Sequence, residues 1–192
     1  SLINLTLNDT LFARTEFKGG AKGEYSFDLN LFHTIDENKQ SVVGFKKSDI
    51  TFKNYQWYIN EKETKGNTVV FDKGFKNFNF NQLTLSHNEQ FIDFNGEMRG
   101  STYKDLNFTF NDVDISKVTP DIKNLDLGGK LNGELKFKQD NLIYEPSTNL
   151  TIDSLNVNNI ELGDLKLEVS GDESFKKFNV NAAISNQGEE TF

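Results

Sequence analysis

Leu165-Lys166-Leu167-Glu168-Val169 alternates apolar with charged residues over five consecutive positions. In an extended chain, successive side chains point to opposite faces. The three apolar residues therefore share one side of a strand and the two charges share the other. An α-helix of the same sequence would scatter both sets around its circumference. The stretch reads as a β-strand with one apolar and one wet face.

The same period recurs along the rest of the chain. Ile3, Leu5 and Leu7 alternate with polar residues, as do Tyr25, Phe27, Leu29 and Leu31. Tyr55, Trp57 and Ile59 share a parity, with Gln56 and Tyr58 facing the other way. Phe78 and Phe80 follow, then Leu83 and Leu85, then Ile92, Phe94, Gly96 and Met98. Leu106, Phe108 and Phe110 continue the pattern, and so do Leu131, Gly133, Leu135 and Phe137. Turn chemistry punctuates these runs at Gly19-Gly20, Lys65-Gly66-Asn67, Lys73-Gly74, Arg99-Gly100, Gly128-Gly129, Asn158-Asn159 and Gly171-Asp172. Spacing of this kind predicts roughly fifteen short strands in an antiparallel meander. One stretch breaks the period. Ile115, Val118, Ile122 and Leu125 have helical spacing, and Pro120 suits a helix start, so a turn or two of helix is expected over about 116–123.

Composition agrees with an ordered β chain. The protein has 192 residues, 35% of them hydrophobic, yet Phe alone supplies 18 against one Met and one Trp. Asn occurs 24 times and Pro twice. Asn is a poor helix former and a frequent turn residue, whereas Phe favours strands. The Phe content gives the chain something to bury, which argues against a disordered linker. No Pro/Ser-rich stretch or shift in composition divides it, so 1–192 reads as a single repetitive β segment.

Charge and residue types exclude several functions. Net charge is −8, which disfavours a basic nucleic-acid groove and charge-driven docking on anionic membranes. No apolar run exceeds three residues, so nothing in the sequence reads as a membrane-spanning helix, and no signal peptide is apparent. Cys is absent, which removes thiolate metal sites, Cys nucleophiles and disulfides together. His33 and His87 each lack a second His nearby and read as surface or strand-end residues. Asp112 and Asp114 alternate along a strand and read as a solvated polar face, because the Asn, Gly and later Glu of a calcium loop are missing. No nucleophile elbow, P-loop or dinucleotide fingerprint is present. The expectation is a protein without catalytic residues, metal or cofactor.

The apolar set is lopsided. It is thin and rich in Phe, and it must be covered either by another protein layer or by something that is not protein. The residues alone leave a closed core and an open groove both standing.

Two stretches resemble a known family. One is Ile50-Thr51-Phe52-Lys53-Asn54-Tyr55-Gln56-Trp57-Tyr58-Ile59-Asn60, followed by Asn67-Thr68-Val69-Val70-Phe71-Asp72. The other runs from Leu106 through Val113-Asp114-Ile115-Ser116 and Val118-Thr119-Pro120-Asp121-Ile122 to Leu127-Gly128-Gly129-Lys130-Leu131-Asn132-Gly133, ending near Ile160–Leu165. This succession resembles the repetitive β region of TamB-like translocation and assembly proteins, relatives of the AsmA-like, bridge-like lipid transfer proteins. The likeness covers roughly residues 45–170 and rests on motifs of architecture, not of chemistry.

The resemblance implies an internal piece of a large protein anchored by an N-terminal helix in the inner membrane of a Gram-negative bacterium. It implies a taco-shaped β groove crossing the periplasm, conducting phospholipid acyl chains and supporting outer-membrane biogenesis. A barrel protein of the outer-membrane assembly machinery is the implied protein partner. Membrane contact would lie in parts outside this chain. The groove lining would be Tyr25, Phe27, Leu29, Tyr55, Trp57, Ile59, Phe78, Phe80, Phe94, Phe108, Phe110, Leu135, Phe137, Leu165, Leu167 and Val169. A chaperone-like role towards outer-membrane barrels is the alternative within the resemblance. Outside it stand a carbohydrate-binding β-sandwich using Trp57 and Tyr58, and a plain structural β-repeat. Asp9-Thr10-Leu11 and Asp153-Ser154-Leu155 also fit a short pattern for periplasmic O-glycosylation at Thr10 and Ser154.

Overall fold

The computed structural model describes residues 3–8, 10–21, 25–186 and 189–190. The strands are β1 (Ile3–Asn8), β2 (Thr10–Ala21), β3 (Tyr25–Ile35), β4 (Ser41–Phe45), β5 (Ser48–Phe52), β6 (Tyr55–Ile59), β7 (Thr68–Phe71) and β8 (Asn77–His87). They continue with β9 (Gln90–Arg99), β10 (Tyr103–Asp114), β11 (Leu127–Asp140), β12 (Ile143–Val157), β13 (Ile160–Gly171), β14 (Phe178–Asn186) and β15 (Glu189–Glu190). All fifteen belong to one antiparallel sheet, and thirteen follow each other in hydrogen-bonded order, with β5 and β6 off that path. The sheet is curled. Among the described residues the one helix is α1 (Ile115–Val118), a single turn.

Register carries the apolar period from strand to strand. Phe94 pairs with Phe108, Phe108 with Leu135, Leu135 with Thr148 and Thr148 with Val169. One step along, Leu85, Ile92, Phe110, Gly133, Leu150 and Leu167 form a second continuous row. Directly opposed residues share a face, so these rows lie on one side of the sheet. Bulges keep them there, between Phe80 and Leu83 in β8, between Phe110 and Val113 in β10, and between Ile152 and Leu155 in β12, the last also shifting the register with β11 between Gly128 and Lys130. Each extra residue restores parity where the sequence loses it, and a bulge also bends its strand. Gln82, Asp112 and Ser154 take positive φ within these bulges. Gly133 faces Phe110 at φ 118, and a Cβ there would stand 2.1 Å from the Asn149 carbonyl oxygen. No L side chain fits that position.

Near its start the sheet forks. Residues 25–28 of β3 pair with β5, whereas residues 31–35 pair with β4. The branches rejoin on β8, through β6 at Tyr58 and Ile59 and through β7 at residues 68–71. Strands that diverge leave ladder groups unpaired, and buried polar side chains take them up. The buried Ser48 hydroxyl accepts from the Asn30 amide, the buried Asn60 side chain donates to the Phe45 carbonyl at 2.7 Å, and the buried Asn67 side chain accepts from the Thr84 amide at 2.7 Å.

Core in the usual sense is small. Among the described residues only Trp57, Val113, Ile115 and Leu155 are buried apolar side chains. All four lie at the end of the sheet that carries α1. Asp114 caps the helix by accepting from the Ser116 amide at 3.0 Å, and Thr119 ends it by bonding back to the Ile115 carbonyl. Pro120 follows the helix instead of opening it, and 119–123 is loop, because the turn is closed at Thr119. Lys53, in the β5–β6 turn, donates to the carbonyls of Ser116 and Thr119 and pairs with Asp121 at 2.7 Å. Gly19-Gly20 is likewise not a turn. Both glycines lie within β2, opposite Phe27 and Ser26.

Candidate functional site

All sixteen residues expected to line a groove fall on one face of the sheet when the pairing is followed across it. Their surroundings differ along its length. In the middle, rings adjoin one another along and between strands: Phe71–Phe78 at 5.8 Å, Phe78–Phe80 within β8 at 6.2 Å, Phe80–Phe94 tilted at 5.0 Å and Phe94–Phe108 at 4.5 Å. These rings are only half-buried, as are Phe110, Phe137, Leu165, Leu167 and Val169, while Leu135 is exposed. Phe27, Leu29, Tyr55 and Ile59 are half-buried and Tyr25 is exposed. Trp57 departs from the others. It is 2% exposed, packed edge-on against Tyr55 at 5.7 Å and near the His87 ring, so it belongs to a closed end and not to an open groove. That burial also leaves it no free face on which to stack a sugar.

The accessible surface shows how little covers this face. It amounts to 12675 Å², whereas a compact monomer of 21.9 kDa exposes about 9,300 Å². Among the described residues, no second sheet or helical layer lies over the rows of rings and aliphatic side chains.

Two hairpin turns add aromatics that period alone does not reveal. Asp72-Lys73-Gly74-Phe75-Lys76 and Asp172-Glu173-Ser174-Phe175-Lys176 share one construction. In each, the Asp carboxylate accepts from the amides four and five residues on, and the Phe at the fourth position takes positive φ and donates its amide to the Asp carbonyl. Phe75 then stacks on Phe71 at 5.1 Å, and Phe175 packs on Phe137, Tyr144 and Phe178 at 5.7, 5.6 and 5.2 Å. The pattern Asp-x-x-Phe-Lys is met at both turns and also at Asp49–Lys53, where it runs along β5, so the pattern alone does not mark the turn. The carboxyls of Asp72 and Asp172 are held below the usual range, first by the amides of Asn77 and Lys176 respectively.

Charge is sorted by face. Lys18 bridges Glu16 and Asp28 on the outer side, and Lys138 pairs with Glu145 and Lys166 with Glu168. On the apolar side, within strand residues 14–186, Lys104 is the one Lys, Arg, Asp or Glu. Both histidines also face that side and are half-buried, not surface residues. His87 ends β8, stacked on Tyr55 at 4.1 Å with Nδ1 bonded to the Gln56 carbonyl. His33 carries a buried Nε2 with no hydrogen-bond partner. Asp112 sits in a bulge and pairs with Lys130 at 3.7 Å, while Asp114 is the helix cap. Ser154 is exposed in the β12 bulge, and Thr10 opens β2 with its side chain outside the described residues.

The described residues contain no cluster of three or more potential metal ligands and no helix long and apolar enough to cross a membrane. Comparison with family models, curated proteins and solved structures finds no match for this chain.

Proposed function

We propose that the apolar face of the curled sheet holds the acyl chains of phospholipids and lets them move along it, as part of a TamB-like conduit between the inner and outer membranes of a Gram-negative bacterium. The observation that carries this reading is an apolar face continuous in register from β3 to β14, with no second sheet or helical layer over it among the described residues. Releasing a chain of about sixteen methylenes into water costs about 13 kcal/mol, at about 0.8 kcal/mol for each CH₂. A half-exposed track offers that burial at every point and a deep pocket at none, so a chain can slide without falling into a trap. With strands about 4.8 Å apart, thirteen of them span about 58 Å.

A second reading is a chaperone-like role towards outer-membrane barrel segments. It is favoured by the edge strand β14, which has no charged residue and, over residues 178–183, no strand ladder on its outer side among the described residues. A barrel strand adds to such an edge through main-chain hydrogen bonds.

Photo-crosslinkers at positions 109 and 110 separate these readings. Phe110 faces Ile92 and Gly133 on the apolar side, whereas Thr109 faces Asp93 and Glu134 on the wet side. Phospholipid adducts are expected at 110 and not at 109. Equal labelling, or none at either position, removes the lipid reading. Protein adducts confined to probes along β14 favour the second.

A further inference from the structure

Lys104 is out of place. It stands on the apolar face between Met98 and Gln139, followed on the same side by Leu106, Phe108 and Phe110. Its ammonium donates to the Gln139 side-chain carbonyl, a neutral acceptor, and forms no ion pair among the described residues. Gln139 is buried, and its amide is held in turn by the carbonyls of Ser101 and Asn141. The acceptor is therefore fixed, and it fixes the ammonium at the groove edge beside the β9–β10 turn. Lys136 and Lys138, on the neighbouring strand but the opposite face, both have carboxylate partners.

An ammonium has three donor hydrogens, and Gln139 takes one. The two that remain point to an anionic acceptor, since charge-assisted hydrogen bonds are the strong ones. The apolar track begins at the next position on the same face. From residue 104 to residue 110 a strand advances about 20 Å, close to the length of an extended long acyl chain.

We propose that Lys104 is a headgroup anchor: it takes the anionic headgroup of an acyl lipid whose chain lies inward along Leu106, Phe108 and Phe110. This rests on the lipid reading above and adds headgroup selectivity to it. The competing explanation is a lysine whose stem covers apolar surface while its head reaches water. Such a lysine is indifferent to what the headgroup carries.

The test compares binding of a phosphatidylglycerol and of the diacylglycerol with the same chains, both delivered from detergent to the full chain. The wild type is expected to bind the anionic lipid about tenfold tighter, the worth of one charge-assisted hydrogen bond. Lys104→Met keeps the stem and is expected to bind both lipids equally. Lys104→Arg is expected to keep the preference, and Lys104→Gln serves as a second neutral variant if Lys104→Met fails to fold. A preference that survives in the neutral variants, or disappears in Lys104→Arg, overturns the anchor. Displacement of phosphatidylglycerol by inorganic phosphate at equal concentration also overturns it, since it marks an anion site independent of the track. Failure of the wild type to bind either lipid is a different result: it removes the groove reading, and the anchor with it.

Discussion

Phe110 and Trp57 lie on the same face of the sheet but differ in what covers them. Phe110 is half-buried with Gly133 opposite, so a carboxylate placed there reaches water. Phe110→Asp is expected to melt near the native temperature while losing lipid transfer. Trp57 is buried beside Tyr55 and His87. Trp57→Ala is expected to cost about 3–5 kcal/mol, a large part of a marginal domain's stability. Thermal unfolding followed by circular dichroism checks both, and an unfolded Phe110→Asp would mean that this region is closed core. Parity in the sequence put both residues on one face correctly. Their different burial was not legible, because the closed end is built from residues distant in sequence, with Lys53 tied to the Ser116 and Thr119 carbonyls and Lys117 over the Tyr55 ring at 5.7 Å.

At the scale of elements, local signals were read well where they were turns and poorly where they were bulges. Lys73-Gly74 and Asn158-Asn159 do turn the chain, whereas Gly19-Gly20 continues a strand because Phe27 on β3 packs over Gly19. Phe78, Phe80 and Leu83, Leu85 read as separate runs, since parity flips between them. The structure makes them one strand with Gln82 bulged out at φ 43, a position where no glycine announces the break. Helical spacing foretold a turn or two of helix over about 116–123, and Asp114 and Thr119 close it to the single turn Ile115–Val118. The two Asp-x-x-Phe-Lys turns carry a pH prediction. Native amides stabilise the ionised carboxyls of Asp72 and Asp172, so their folded pKa lies below the unfolded value. That stability is fully present above the unfolded Asp pKa and is lost as pH falls through the lower folded value. NMR titration of the Lys76, Asn77, Lys176 and Lys177 amides is expected to show inflections below the ordinary Asp range. Inflections at or above that range would mean that the carboxylates do not hold the turns.

For the whole molecule, the consequence of a single sheet is that, among the described residues, it has two unclosed edges. A compact chain of this length has a radius of gyration of about 16 Å and so a diameter of about 42 Å, and a sheet about 58 Å across its strands is expected to show a larger maximum dimension in small-angle scattering. The sheet-end backbone is the more telling feature. Residues 178–183 of β14 pair with β13 on one side and, among the described residues, no strand ladder is formed on the other. Edge strands are normally guarded by Lys, Pro or bulges, and Phe178-Asn179-Val180-Asn181-Ala182-Ala183-Ile184 has none of them. Two copies pairing antiparallel through β14 are related by a two-fold axis perpendicular to the sheet, which leaves both apolar faces on the same side. Such a dimer lengthens the groove instead of blocking it. The chain is therefore expected to associate with rising concentration in sedimentation. Asn179→Lys with Asn181→Lys places like charges across the new pairing on the wet face and is expected to return it to monomer. The substitutions leave Val180 and Ala182 opposite Val169 and Leu167, so the apolar rows within each copy stay intact. A monomer at every concentration would show that β14 is protected in some other way. Association unchanged by the two lysines would place the contact elsewhere on the molecule.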